Sequence, residues 1–394
     1  MTSFSPGRGS TMTSLRPFAV FYFCYFAYSG LFGPFWGLYL DSLSYTPWQI
    51  SLLIALSTLA RIVAPGFWGW LADRQGRRRP IVIGTSLFAA AAFLMICLHA
   101  GTFFWVFVFL ALTHFFWAAA LPLVEASTAH LTRHVPGRYS RIRVWGSIGY
   151  LVLAILGGYL LDWLHLASMP WLTLALLGAV AISALGVPEV AAPVRKSVQA
   201  PLSDTLKQRP VMALFTCCFL MAFAFGPYYT FYSIGLKDVG FSKSAIGWLW
   251  AVGVLSEIGV FWYMPRIMGR FALERLMQLS LASGVVRFAL IAVSIGNPLL
   301  AVVAQLLHAL TFALHHASAI GLIHRYFAEH HHAKGQGLYI IASFGVGGSL
   351  GGLLAGALWS YGGVALVFGI SALAAGCGVL VCHYFLPVEP PVRT

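Results

Sequence analysis

Charge is what this chain has least of. Of its 394 residues 9% are Asp, Glu, Lys or Arg, only 11 are acidic, and 59% are hydrophobic. With a mean hydropathy of +0.82, no ordinary water-soluble domain could bury so much apolar surface. Asparagine occurs once, at Asn297, and Pro298 follows it, so the chain has no N-glycosylation acceptor. The six cysteines (Cys24, Cys97, Cys217, Cys218, Cys377 and Cys382) all lie in apolar runs. They have neither metal-ligand spacing nor the framework of a disulfide-rich domain, and they read as small buried apolar residues. No cleavable leader is expected, because the first apolar run is long and lacks a small-residue cleavage site. A pI near 9.7 raises nucleic acid as a partner. That reading is excluded because the basic residues sit in short loops and form no folded basic face. The histidines of "HALTFALHHAS" do not complete the ligand set of a di-iron membrane oxygenase. No metal, no cofactor and no enzymatic activity are expected.

What the chain does have is long apolar runs. A membrane span needs roughly 20 such residues, and twelve runs qualify: 17–40, 48–72, 80–99, 102–131, 142–163, 168–188, 211–236, 244–267, 273–295, 298–324, 335–359 and 362–387. Lys and Arg gather in alternate loops: Arg74 to Arg79, Arg133 to Arg143, Arg195 to Arg209, Arg266 to Arg275, then Arg325 and Lys334. The intervening loops hold only Lys237 and Lys243. The positive-inside rule then puts both termini in the cytoplasm, in a multi-pass protein of a bacterial inner membrane. The net charge of +13 suits this bias and the anionic headgroups of membrane lipids.

The chain also repeats itself. "FGPFW" at Phe32–Trp36 returns as "FGPYY" at Phe225–Tyr229, an offset of 193. "LDSLSYTPWQISLL" from Leu40 aligns without gaps with "LKDVGFSKSAIGWL" from Leu236, an offset of 196. Each copy holds six spans, so the two run in the same orientation, related by an axis along the membrane normal. The expected organisation is a cytoplasmic tail (1–16), an N-terminal six-helix bundle (17–188), a polar cytoplasmic linker (189–210), a C-terminal six-helix bundle (211–387) and a short cytoplasmic tail (388–394).

Five of the rare charges crowd into "GWLADRQGRRRP", Gly69–Pro80. This stretch resembles the signature that follows the second helix in the major facilitator superfamily. The resemblance implies an all-α polytopic fold of twelve spans in two parallel six-helix repeats. It also implies a conformational latch made of Gly69, Asp73, Arg74, Gly76 and Arg77, with Asp73 at a helix end able to pair with an arginine of a neighbouring helix. Gly69 suits close helix contact and Gly76 a tight turn. The second-half counterpart, "MPRIMGRFALERL" at Met264–Leu276, keeps Gly269 and Arg270 but has no Asp.

"LPLVEAS" around Glu125 and "SRIRVWGSIGY" (Ser140–Tyr150) are similar to helices four and five of the lactose permease branch. The segments Tyr228–Ile258, Gly284–Phe288 and Gln305–Phe312 are more similar still to the phenylpropionate permease branch, over most of the chain. That likeness implies proton-coupled uptake of a small organic acid. Where the lactose branch has a Glu three residues after the helix-ten histidine, this chain has Thr311.

An ionisable group inside a span costs several kcal/mol and is a functional hypothesis by default. At 1.5 Å per residue, Arg61 lies about 18 Å from Asp73 and Glu257 about 13 Å from Arg266. Glu257, Arg287 and His308 therefore reach similar depth on three successive helices, and Glu257 or Glu125 is the expected proton site. Arg61 and Arg287 are the candidates for a substrate carboxylate. Glu125 and Arg143 can pair across helices four and five; Arg143 and Tyr150, which share a helix face, are expected to bind substrate with Arg61, Tyr228 and Tyr229, and Arg287 and His308 to tune the proton site. Six tyrosines on helices one and seven (Tyr22, Tyr25, Tyr28, Tyr228, Tyr229 and Tyr232) promise an aromatic cavity. His315 and His316 read as packing residues, and His330–His332 as a solvated run. The expected function is proton symport of a small organic acid, such as an aromatic carboxylate, by a monomer. The alternatives are a proton-coupled exporter of hydrophobic compounds and a sugar or nucleoside symporter.

Overall fold

The computed structural model describes residues 15–99, 102–133, 135, 137–190 and 203–389. Residues 1–14 and 390–394 of the expected tails and 191–202 of the expected linker lie outside the described residues.

Local chemistry starts the helices where the repeat places them. Thr46 caps the second helix: its hydroxyl accepts from Gln49 N, and the Gln49 side chain accepts from Thr46 N, a reciprocal box that satisfies two orphan donors. Ser242 caps the eighth in the same way, accepting from Ala245 N. The two caps stand 196 residues apart, the offset read from the sequence. Pro34 and Pro227, 193 apart, both sit inside their helices.

The spans are α1 (Arg16–Ser42), α2 (Pro47–Gln75), α3 (Arg79–His99), α4 (Phe103–Thr132), α5 (Arg138–Leu164), α6 (Met169–Gly186), α7 (Arg209–Asp238), α8 (Lys243–Met268), α9 (Leu273–Ser294) and α10 (Pro298–Tyr326). The last helical stretch, Glu329–Phe385, is broken at Gly363, whose φ of 51° only glycine adopts without strain. It supplies α11 (332–362) and α12 (364–385). Twelve spans result, with no strand among the described residues. Both α10 and α11 carry a π-helical turn, Leu310–Leu314 and Ile341–Gly347.

Within the first half α1 packs on α5 and α6, and α4 on α2 and α3; within the second, α7 packs on α11 and α9 on α12. The first-helix contacts are backbone to backbone. A Cβ added at Gly149 would lie 2.2 Å from Phe23 O, and one at Gly351 would lie 2.0 Å from Phe223 O. Small residues drive helix association where lipid gives no hydrophobic preference.

The halves meet through α5–α8, α2–α11 and α1–α7. Asp41 and Lys237 pair at 2.7 Å. Asp162 accepts from Lys243 N (3.1 Å), Ser244 N (2.9 Å) and Lys243 Nζ (3.2 Å), capping α8 from the other half. Trp248 Nε1 donates to the Tyr159 hydroxyl. All these ties lie at the face opposite the 73–79 loop. There the halves are closed against each other.

Candidate functional site

In the second half the polar residues form one cluster. Glu257 on α8 meets His308 on α10, with Oε1 and Nε2 2.5 Å apart. Tyr228 on α7 donates to Gln305 Oε1 at 3.0 Å. Arg287 on α9 is fully buried. It donates from Nε to Ala304 O (3.0 Å) and from Nη1 to the Thr311 hydroxyl (3.2 Å). Its guanidinium faces the rings of Tyr228 at 4.3 Å, Phe225 at 5.0 Å and Phe288 at 5.3 Å. These contacts seal the cation behind aromatic rings. The π turn of α10 begins two residues after His308; such turns locally reset side-chain direction and recur at functional sites.

The first half carries a matching cluster. His114 on α4 is buried, with Nδ1 3.1 Å from Leu110 O and Nε2 3.4 Å from the Tyr28 hydroxyl. A carbonyl only accepts, so Nδ1 carries a proton, and in the neutral ring Nε2 accepts from Tyr28. Trp117 stacks on Tyr25 at 4.4 Å and 8°. Arg61 lies over the Trp117 ring at 5.6 Å. It is exposed and makes no hydrogen bond or ion pair among the described residues.

The two clusters are related by the repeat. Phe32 is edge-on to His114 (5.2 Å, 63°), and its counterpart Phe225 is edge-on to His308 (5.5 Å, 70°). Carried from the Thr46 and Ser242 caps along the unbroken α2 and α8, the 196-residue offset matches Arg61 to Glu257. Equivalent positions, each near an equivalent histidine, thus hold opposite charges. Tyr229 stands between them: it is 38% exposed, and its hydroxyl feels the charge of both Glu257 and Arg61. Arg61 also acts on Tyr25, Tyr28 and His114, so it lies between the halves and not toward lipid.

Glu125 and Arg143 form an ion pair across α4 and α5 at 3.1 Å, about one-third exposed. The Arg143 guanidinium lies 4.2 Å from the Phe26 ring and 5.4 Å from Tyr22. Tyr150 reaches the opposite cluster, within electrostatic range of Tyr229 and Glu257. The Glu125–Arg143 pair and Tyr229 are partly exposed, whereas the polar ties between the halves described above lie at the face opposite the 73–79 loop.

Several expectations need correction. Five of the six tyrosines (Tyr22, Tyr25, Tyr28, Tyr228 and Tyr232) are at most 3% exposed and serve as packing and hydrogen-bonding walls. Only Tyr229 opens onto the space between the halves. Arg287 faces rings and a carbonyl, so it is not open to a solute here. In the loop signature Asp73, Arg74 and Arg77 are exposed, and Asp73 makes no ion pair among the described residues. Gly69 has no neighbour within 4 Å of an added Cβ, whereas Gly76 takes φ 67° and ends α2 as expected. The polar contact at that loop comes from Glu189, whose Oε1 accepts from Arg78 N (2.9 Å) and Arg79 N (3.4 Å) at the start of α3. Glu125 and Glu257 are not the only enclosed carboxylates: Glu274 is 1% exposed and paired with Arg325. His331 is 6% exposed and not solvated. His315 meets the Ser280 hydroxyl and His316 that of Tyr339, consistent with packing roles.

Sequence reasoning missed His114, Trp117, Gln305 and the Asp162 cap. A signal for the first existed: His114 precedes His308 by 194 residues, within the range of the repeat offsets.

The chain resembles known proteins in both sequence and fold. The sequence matches the MFS_1 like family over residues 15–370. It is 28% identical to the "Probable 3-phenylpropionic acid transporter" of Escherichia coli (strain K12), over 92% of this chain and 96% of that protein. It is 26% identical to the maltose permease of Geobacillus stearothermophilus, over 92% of each. The crystal structure of the nucleoside transporter NupG superposes with a TM-score of 0.79 at 17% identity, covering 96% of this chain and 98% of that one. These relatives are carriers of small molecules and not enzymes, and the substrates in their names differ. The chain therefore belongs to the MFS_1 like family, as a multi-pass transporter of the major facilitator superfamily.

Proposed function

We propose that this transporter takes up a small aromatic or hydrophobic carboxylate together with protons by alternating access. Residues 17–188 and 211–387 would rock as two bundles about a site between Arg61 and Glu257. The observation that carries this reading is Arg61: a cation deep in a span, over Trp117, with no acceptor of its own among the described residues. A guanidinium offers a carboxylate two parallel hydrogen bonds, and the partly exposed Tyr229 offers a flat apolar wall for a ring. A sugar or nucleoside would leave that cation uncompensated. Glu257, held by His308, is the proposed coupling carboxylate, with Arg287 behind Tyr228 as its nearby cation. Glu125, Arg143 and Tyr150 line the entry. The loop signature acts on conformation, and both termini are cytoplasmic.

Binding of 3-phenylpropionate to purified protein, read by thermal shift and calorimetry, tests the proposal. Wild type should bind, and Arg61→Lys should weaken binding at least tenfold while the fold is kept, because an ammonium cannot reproduce the two-point contact. Wild-type affinity in that variant would place the carboxylate elsewhere. Outward movement of the acid in cells would replace uptake by export.

A further inference from the structure

We infer that the carrier moves a monoanion with one proton and transfers no net charge. This rests on the substrate reading above and deepens it from carboxylate to singly charged carboxylate with a fixed proton ratio. The argument is a count of charges around the central space. Arg143 is matched by Glu125 at 3.1 Å. Arg287 has one nitrogen, Nη2, without a partner among the described residues, but it is fully buried behind three rings, a carbonyl and a hydroxyl, and so does not face that space. Among the described residues facing that space, Arg61 is the cation left without an acceptor. It can neutralise one negative charge. A dianion would leave its second charge in a low-dielectric site without a partner, and a neutral solute would leave Arg61 itself so.

The same count holds for the proton. Glu257 is the carboxylate at the equivalent position of the other half, and its hydrogen-bond partner is an imidazole, not a fixed cation. The groups facing it are His308 from α10, Tyr229 and, behind Tyr228, Arg287 from α7 and α9, and Tyr150 from α5. A second added proton would leave a buried imidazolium beside a neutral carboxyl, with no acceptor for His308 Nδ1 among the described residues, so Glu257 and His308 accept one added proton as a unit. His114, His315 and His316 hold hydroxyl groups and meet no carboxylate among the described residues. One seat for an anion and one for a proton, at positions exchanged by the repeat, give the empty and the doubly loaded carrier the same charge. Either singly loaded form differs from these by one unit. Only the two matched forms avoid burying an extra uncompensated charge when the halves close.

The test uses the full chain in proteoliposomes with labelled 3-phenylpropionate. One arm applies an inward proton gradient with the potential clamped at zero by potassium and valinomycin. The other applies an inside-negative potassium diffusion potential without a pH gradient. The expected result is accumulation of at least fivefold in the first arm and no accumulation in the second. Accumulation driven by the inside-negative potential would overturn the inference, because positive charge would then enter with the solute. Slowing of gradient-driven uptake by that potential would overturn it from the other side, because negative charge would enter in excess. Arg61→Gln supplies an independent arm: affinity for the acid should fall at least tenfold while the neutral 3-phenylpropanamide becomes the better ligand, and unchanged preference for the acid would overturn the count. If wild type neither binds nor moves aryl carboxylates, the substrate reading fails and takes this inference with it. If it moves them with net charge, only this inference fails.

Discussion

Glu257 and His308 stand 2.5 Å apart between two spans, and what they do depends on a proton that each can hold. Glu257→Gln fixes the carboxyl position in its neutral form. Proton-driven accumulation should vanish, whereas exchange of substrate across the membrane should persist. Paired uptake and counterflow in proteoliposomes check this; accumulation at the wild-type level would assign the coupling to Glu125. The charged members of this site were legible in the sequence because a charge inside an apolar run announces itself, as Glu257, Arg287 and His308 did. Their surroundings were not. Nothing in the residue types says that Arg287 is closed off by Tyr228 while Arg61 is left open, because that depends on which face of each helix turns inward and how rings from other helices fill the space. Trp117 and His114 were passed over for a related reason: in a chain that is 15% aromatic, one more ring on one more helix carries no local signal.

At the scale of elements, the caps argue that helix placement here is written in polar residues. Glu189 follows the end of α6 and holds two backbone N–H groups at the start of α3, where the helix dipole favours negative charge. Glu189→Ala should cost about 1 kcal/mol, by analogy with the loss of an N-cap, and lower the thermal midpoint of the purified protein while leaving substrate affinity unchanged. The twelve spans and their limits were readable from hydropathy to within a few residues, because a bilayer demands unbroken apolar length. The π turns of α10 and α11 were not readable. Their cause is how a helix settles against its neighbours, and no residue in Leu310–Leu314 or Ile341–Gly347 is reserved for that geometry.

For the whole molecule, the described ties between the halves gather at one face. Asp162 holds the start of α8 through two backbone N–H groups and a lysine. Charge-assisted bonds of this kind are roughly twice as strong as neutral ones. Asp162→Asn should therefore shift the population away from this conformation. Spin labels at Leu164 and Val239, both exposed, should show added longer distances in the variant. At the other face, Asp73 makes no ion pair among the described residues in this conformation, so Asp73→Asn should leave its stability and equilibrium substrate binding largely intact. Transport should still fall several-fold if, as proposed, the loop signature acts on conformation and Asp73 finds a partner when that face closes. Equal loss of binding in a folded Asp73→Asn protein would contradict this.

The pair formed by Asp41 and Lys237 is half-exposed and worth at most about 1 kcal/mol. Its meaning lies in its address. The two residues occupy the same position in the two copies, and positions exchanged by a twofold can touch only on the axis itself. In an assembly of two identical halves, an isologous contact sets each residue on the axis against itself. Aspartate would then face aspartate, or lysine would face lysine. Opposite charges at that point require two halves that have stopped being copies. This contact could therefore not form between two copies of either half, and it marks a point where the repeat is kept in position and broken in sign.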